Sequence, residues 1–187
     1  EVLRRTRRGD PATVESHLRA AAALAGAPGP HHVRLGEWLL VRAEALPEVP
    51  LVAGELLEVR AARSVLARDL ARGANLDVFR LAARMDLLLG DTGSLETLRA
   101  PQRDGSADVA YVLLLARLAG CAGERDRAAA LLDGINPSIL VVEDLVVLAD
   151  VLAEIGDAQR LASVLSVAAA RSPSHPTVVV RLAPAAL

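Results

Sequence analysis

The sequence predicts an all-α chain built from antiparallel helical hairpins, and three observations carry the prediction. Ala, Leu, Arg and Glu dominate, while β-branched residues other than Val are sparse, a composition that favours helix over strand. Pro or Gly punctuates the chain at intervals of roughly 15 to 20 residues, about one helix and its turn. Gly90, Gly123 and Gly156 stand 33 residues apart, twice over, and each is followed by an acid: Asp91, Glu124 and Asp157. A fixed period of about 20 to 50 residues is the signature of stacked repeats. The hairpins are therefore expected to stack as an α-solenoid.

The elements follow in order. Asp10 is placed as an N-cap with Pro11 at the first helical position and Glu15 in the first turn, and the AGAPGP stretch from Ala25 stops the helix, giving a span of about 11–25. Further helices are expected over about 31–46, ending at LPEVP, and over about 51–72, where RGAN supplies a terminal Gly73 and a new N-cap in Asn75. Residues 1–74 thus read as N-terminal helices packing on repeats that occupy 75–187, all in one continuous domain. The apolar run VAYVLLLA, from Val109 to Ala116, is closed off by Asp108 and Arg117. It falls well short of the roughly 18 residues of a membrane span and reads as a buried helix.

Laid in register from Asn75, the three units share more than the glycine. Ala83, Ala116 and Ala149 fall seven residues before it, and Leu95, Ala128 and Leu161 five after. Small residues let a neighbouring helix approach, Gly permits a tight turn, and the acid favours the next helix N-terminus. A hairpin with one apolar face cannot bury it alone, so such units stack. The alternative, in a chain so rich in Ala and Leu, is an irregular bundle whose glycines are in register by accident.

The pattern resembles the tetratricopeptide repeat and its relatives, the TPR-like family. The third unit matches it best, through Leu145, Leu148, Ala149, Leu152, Gly156, Asp157, Leu161, Leu165, Ala168 and Pro173, and Val179, Leu182 and Ala183 fall where another first helix would place them. The second unit fits at Val112, Leu115, Ala116, Gly123, Glu124, Ala128 and Leu132 but closes early, at Ile135-Asn136-Pro137. The first departs further, with Asp86 and Arg99 at apolar positions and its second helix ended by Pro101. The family's bulky aromatics are replaced by Leu, Val and Ala, and the Thr-Pro-Leu-His signature of ankyrin, which shares the period, is absent.

The resemblance covers roughly residues 75–187 and implies a right-handed superhelix with a concave groove for a protein or peptide. The family's groove positions fall on Asp77, Arg80 and Arg84, then Ala110, Leu113, Arg117 and Cys121, then Glu143, Val146, Asp150 and Glu154. They do not reproduce the Lys-and-Asn clamp that some family members use for a C-terminal carboxylate. Of these, Asp77, Arg80, Arg84, Arg117, Glu143, Asp150 and Glu154 are the expected partner-binding residues. Arg84 and Arg117 share one repeat position, where the third unit has Asp150, so the implied groove is basic toward the first unit and acidic toward the third.

Composition narrows the partners. The net charge of -2 does not favour nucleic acid or an anionic membrane. The run Arg4, Arg5, Arg7 and Arg8 is read as a solvated face rather than a nucleic-acid contact. All 21 basic residues are arginine, as codon usage in a high-GC bacterium would give. The single Cys121 forms no internal disulfide, which fits a reducing, cytoplasmic compartment. A start at EVLRRTRRGD, without Met or an apolar leader, is read as that of a segment from a larger protein.

Catalytic candidates are thin. His31, His32 and Glu37 lie near a helix start, but adjacent histidines point about 100° apart on a helix and do not share a metal comfortably. His17 and His175 are isolated, and Cys121 sits beside a turn with no His nearby. GDTGS, from Gly90 to Ser94, lacks the Lys and the strand of a phosphate loop, and no G-x-S-x-G, H-E-x-x-H or paired-Cys motif occurs. Trp38, Phe79 and Tyr111 read as core anchors rather than a ligand cage. No catalytic residue, metal or cofactor is expected in this segment.

The expected function is that of a protein-protein or peptide interaction domain, a scaffold within a larger bacterial protein. The alternatives are a helical accessory or oligomerisation domain of an enzyme such as a transferase, and a sensory domain of a transcription regulator. Self-association is expected through the C-terminal helix, at Val179 and Leu182.

Overall fold

The structure, a computed structural model, describes residues 10–105 and 108–174. Every regular element among them is helical. The expectations for Arg4, Arg5, Arg7, Arg8, His175, Val179, Leu182 and Ala183 lie outside the described residues. The chain divides into two compact units, Glu1–Asp91 and Thr92–Leu187. The division falls just after Gly90.

The first unit contains α1 (Pro11–Ala25), α2 (Pro30–Ala45), α3 (Ala53–Leu70) and α4 (Leu76–Leu89). Local chemistry sets their starts. Asp10 accepts from the Thr13 N–H at 3.2 Å and Asn75 from the Val78 N–H at 3.1 Å, each satisfying a backbone donor that the helix cannot. His32 and Glu55 reach back from the first turns of α2 and α3 to accept from the N–H groups of Gly29 and Val52. The core is aliphatic, with Leu35, Leu39 and Leu40 of α2, Val59, Ala62 and Leu66 of α3, and Phe79, Ala82 and Met85 of α4 all buried. Gly36 sets the approach of α2 to α3, because a Cβ there would lie 2.4 Å from that of Ala62.

Two sets of ion pairs tie these helices together. Asp86 is fully buried (0% exposed) and takes two bonds from Arg63 of α3, at 2.7 and 2.8 Å. Its departure from the apolar repeat pattern thus has a cause: it is half of an internal ion pair. Nearer α1, Arg19 bonds both Glu15 (2.6 Å) and Glu55 (2.8 Å), and Arg42 bonds the same two carboxylates at 3.2 and 2.6 Å. The four alternate in sign and link α1, α2 and α3.

The second unit contains α5 (Leu95–Leu98), α6 (Ala100–Arg103), α7 (Val109–Cys121), α8 (Arg125–Leu132), a 3₁₀ turn (Pro137–Ile139), α9 (Val142–Ile155) and α10 (Ala158–Arg171). Pro101 lacks the N–H that would continue the ladder, so α5 and α6 are single turns. The Tyr111 hydroxyl, buried in α7, donates at 2.6 Å to the Leu98 carbonyl that ends α5. Helix α7 pairs with α8, α9 with α10, and α7 with α9. The VAYVLLLA run is the buried helix read from sequence, with Tyr111, Leu113, Leu115 and Ala116 inside.

The three glycines answer their spacing. Gly90, Gly123 and Gly156 have φ of 65°, 78° and 81°, the left-handed region open to glycine. Each ends its helix in the same way: the N–H of the following acid donates to a carbonyl five residues back (Asp91 to Asp86, Glu124 to Ala119, Asp157 to Leu152), at 2.9 Å every time. The glycine N–H groups donate to Leu87, Gly120 and Ala153. These are three Schellman motifs in register, and Ala83, Ala116 and Ala149 before them are all fully buried. A second element repeats with them. Arg127 and Arg160 bond their own turn acids, Glu124 at 2.8 Å and Asp157 at 2.5 Å, and both reach back to the preceding hairpin, to Glu96 and Asp133.

Candidate functional site

In the first unit, α2 and α4 flank α3 and leave a cleft of about 580 Å³. Its floor is apolar: Val33 of α2, Val65 and Leu66 of α3, and Val78 and Leu81 of α4. Its rim is charged, with Arg34 and Glu37 from α2, Asp69 from α3, and Asp77, Arg80 and Arg84 from α4. The antiparallel order of α2 and α3 orients it. Arg68 donates to the Pro28 carbonyl at 2.9 Å, placing the end of α3 beside the start of α2. Asp69 therefore stands where α2 begins, Arg34 further along, and Glu37 a turn beyond that.

Three of the sequence-predicted groove residues, Asp77, Arg80 and Arg84, line this cleft. The structure pairs Arg80 with Asp77 at 3.3 Å and gives Arg84 two bonds to Glu44, which raise its pKa above the ordinary arginine value. In the second unit, Arg117 of α7 pairs with Glu154 of α9 at 3.2 Å, Glu143 is exposed in the first turn of α9, and Asp150 is half-buried. The arginines expected to make one end of the groove basic thus each hold a carboxylate of their own unit.

The rim charges not consumed in this way are the ones the repeat register missed. The side chains of Arg34 and Asp69 have no hydrogen bond or ion pair among the described residues, and the Glu37 side chain acts through its field on Arg84. They lie on α2 and α3, outside the repeat pattern. The signal available was local: Val33-Arg34 with Glu37, and Val65-Leu66 with Asp69, set charge beside apolar positions on one helix flank.

The second unit has a smaller cleft, of about 430 Å³, between Leu132, Ile135, Leu148, Leu152 and Val164. Its rim charges, Asp133 and Arg160, bond each other at 2.8 Å.

Among the described residues no cluster of three or more His, Cys, Asp or Glu could hold a metal ion. His32 is a buried cap, His17 and His31 are exposed, and Cys121 is an exposed thiol at the end of α7. Phe79 and Tyr111 are core residues, while Trp38 is half-buried with the Arg42 guanidinium 5.5 Å from its ring centre. No helix of the described residues is long and apolar enough to cross a membrane.

Fold and site together define an all-α chain of packed helices with an apolar, charge-rimmed cleft in its first unit. No family model, curated protein or solved structure matches it.

Proposed function

We propose that the chain is a protein-interaction module, a TPR-like scaffold of a larger bacterial protein that acts in the cytoplasm, and that the cleft of the first unit receives a segment of a partner protein. The observation that carries this is an apolar floor left open beneath a rim with unspent charge. Protein interfaces have that composition, an apolar centre within a polar border. The volume, about 580 Å³, is also that of clefts that hold ligands rather than single waters. The turns at Gly123 and Gly156 support the scaffold reading, since each joins two helices that pack as a hairpin and the first helices of the two hairpins pack together.

A photo-cross-linking amino acid at Val78, on the cleft floor, tests the proposal in the native cell, with the exposed Ala130 of α8 as control. The expected result is a discrete protein adduct from Val78 alone, lost when Leu81→Asp is added while the circular dichroism stays that of the parent. A Val78 probe that captures nothing beyond the Ala130 control removes the proposal.

A further inference from the structure

We infer that the occupant of this cleft is an amphipathic α-helix of the partner, lying along α2, with an acidic side chain over Arg34 and basic ones a turn to either side, over Asp69 and Glu37. The inference rests on the binding reading above and adds the form and charge pattern of the bound segment.

The form follows from the walls. The cleft is made of α2, α3 and α4, whose interior backbone N–H and C=O groups bond within their own helices. No sheet edge lines it, so an extended segment finds no backbone ladder to join. Its peptide groups would be buried against Val33, Val65, Leu66, Val78 and Leu81 with few partners, an unfavourable state for any backbone. A helix arrives with its backbone satisfied and offers an apolar stripe at i, i+3, i+4 and i+7. The floor is helical ridges, into which such a stripe packs.

The charge pattern follows from which charges are free. Asp77 is joined to Arg80 and Arg84 to Glu44, so a ligand using them must displace an existing partner. Arg34 and Glu37 are on one wall, a turn apart and opposite in sign, and Asp69 adds a second negative charge before Arg34. The partner flank that complements them reads basic, acidic, basic at one-turn spacing. A helix carrying the opposite signs sets like charges together. Such rim charges select the partner more than they set affinity.

The test uses the full chain as bait for two displayed libraries: four-turn amphipathic helices with flanking positions varied among Glu, Lys and Ala, and Pro-containing extended peptides of the same length. The helix library is expected to enrich, with Lys, Glu and Lys at one-turn spacing on one flank, and to lose its binding to the Leu81→Asp bait. On an Arg34→Glu/Glu37→Arg bait the preferred pattern should become Lys, Lys and Glu, with a roughly tenfold change in relative affinity between the two patterns. Enrichment of extended peptides, a charge pattern indifferent to the double reversal, or no enrichment from either library overturns the inference. A Val78 adduct obtained alongside extended binders would leave the interaction proposal standing and sink only the helical one.

Discussion

Gly36 has no side chain, and that decides how closely α2 meets α3. On an exposed helix, Gly→Ala stabilises by about 1 kcal/mol. Here the new methyl would meet the Ala62 Cβ at 2.4 Å and the Met85 Cε at 3.1 Å, and neither the Ala62 methyl nor its backbone can rotate away. Gly36→Ala should therefore destabilise, by about 1–3 kcal/mol as overpacking does, read as a lower urea midpoint. Asp86 is the second such residue. With Arg63 only 11% exposed at its side chain, Asp86→Ala leaves a nearly buried cation unpaired and should cost about 3–5 kcal/mol, whereas Arg63→Leu with Asp86→Leu should restore most of the loss. A double variant as unstable as the single one would show that the pair matters through something other than its charges. The sequence displayed Asp86 only as a mismatch in an apolar register. Its partner lies in α3, where no repeat pattern reaches, so the pairing was a tertiary fact with no local trace. Gly90, Gly123 and Gly156 were legible for the opposite reason: a left-handed turn is a demand that one residue meets by itself.

At the scale of elements, helix limits were the most legible feature, because caps are local. The spans 11–25, 31–46 and 51–72 read from Pro, Gly, Asp and Asn became Pro11–Ala25, Pro30–Ala45 and Ala53–Leu70. Which flank of a helix faces a cleft is less legible, since it depends on the neighbour. The repeat register covers Asp77, Arg80 and Arg84 of the cleft lining, whereas Arg34, Glu37 and Asp69, which line the same cleft, lie on helices it does not reach. The joint between α1, α2 and α3 has a pH dependence that follows from its charges. The hydrogen bond from Arg42 is the main influence holding the Glu55 carboxyl below its ordinary 4.5, against the opposing effect of burial. A carboxylate depressed in the folded state contributes stability above its unfolded pKa, and that contribution is lost as pH falls through the lower folded value. Glu55→Gln should thus be less stable than the parent at pH 7, and the gap in urea midpoint should narrow as pH drops below about 4.5. A gap that widened in acid would refute this linkage. At the far end, Asp157 caps α10 through the Arg160 N–H at 3.0 Å, and that bond is the first cause of its own lowered pKa. Asp157→Ala should cost about 1 kcal/mol, as a lost cap does.

For the whole molecule, the scarcity of aromatics is experimentally useful. Trp38 is the only tryptophan and Tyr111 the only tyrosine, and they fall in different units, Glu1–Asp91 and Thr92–Leu187. Each unit carries its own optical label. Tyr111→Phe removes the buried bond to the Leu98 carbonyl and should cost about 1 kcal/mol, seen in the circular-dichroism transition. Gly36→Ala and Asp86→Ala should lower the transition followed at Trp38. The three Schellman turns turn these labels into a measuring system. Nothing lies within 4 Å of the place where a Cβ would sit on Gly90, Gly123 or Gly156. Alanine therefore brings the same purely conformational strain to each, about 1–2 kcal/mol. Chemistry being equal at the three sites, any inequality in their effect on the Trp38 signal can only report which parts of the chain melt together. If all three substitutions move that signal alike, the chain melts as one cooperative body. If Gly90→Ala alone moves it, the signal marks a boundary between separately melting blocks, with the protein's own periodicity serving as the calibration standard.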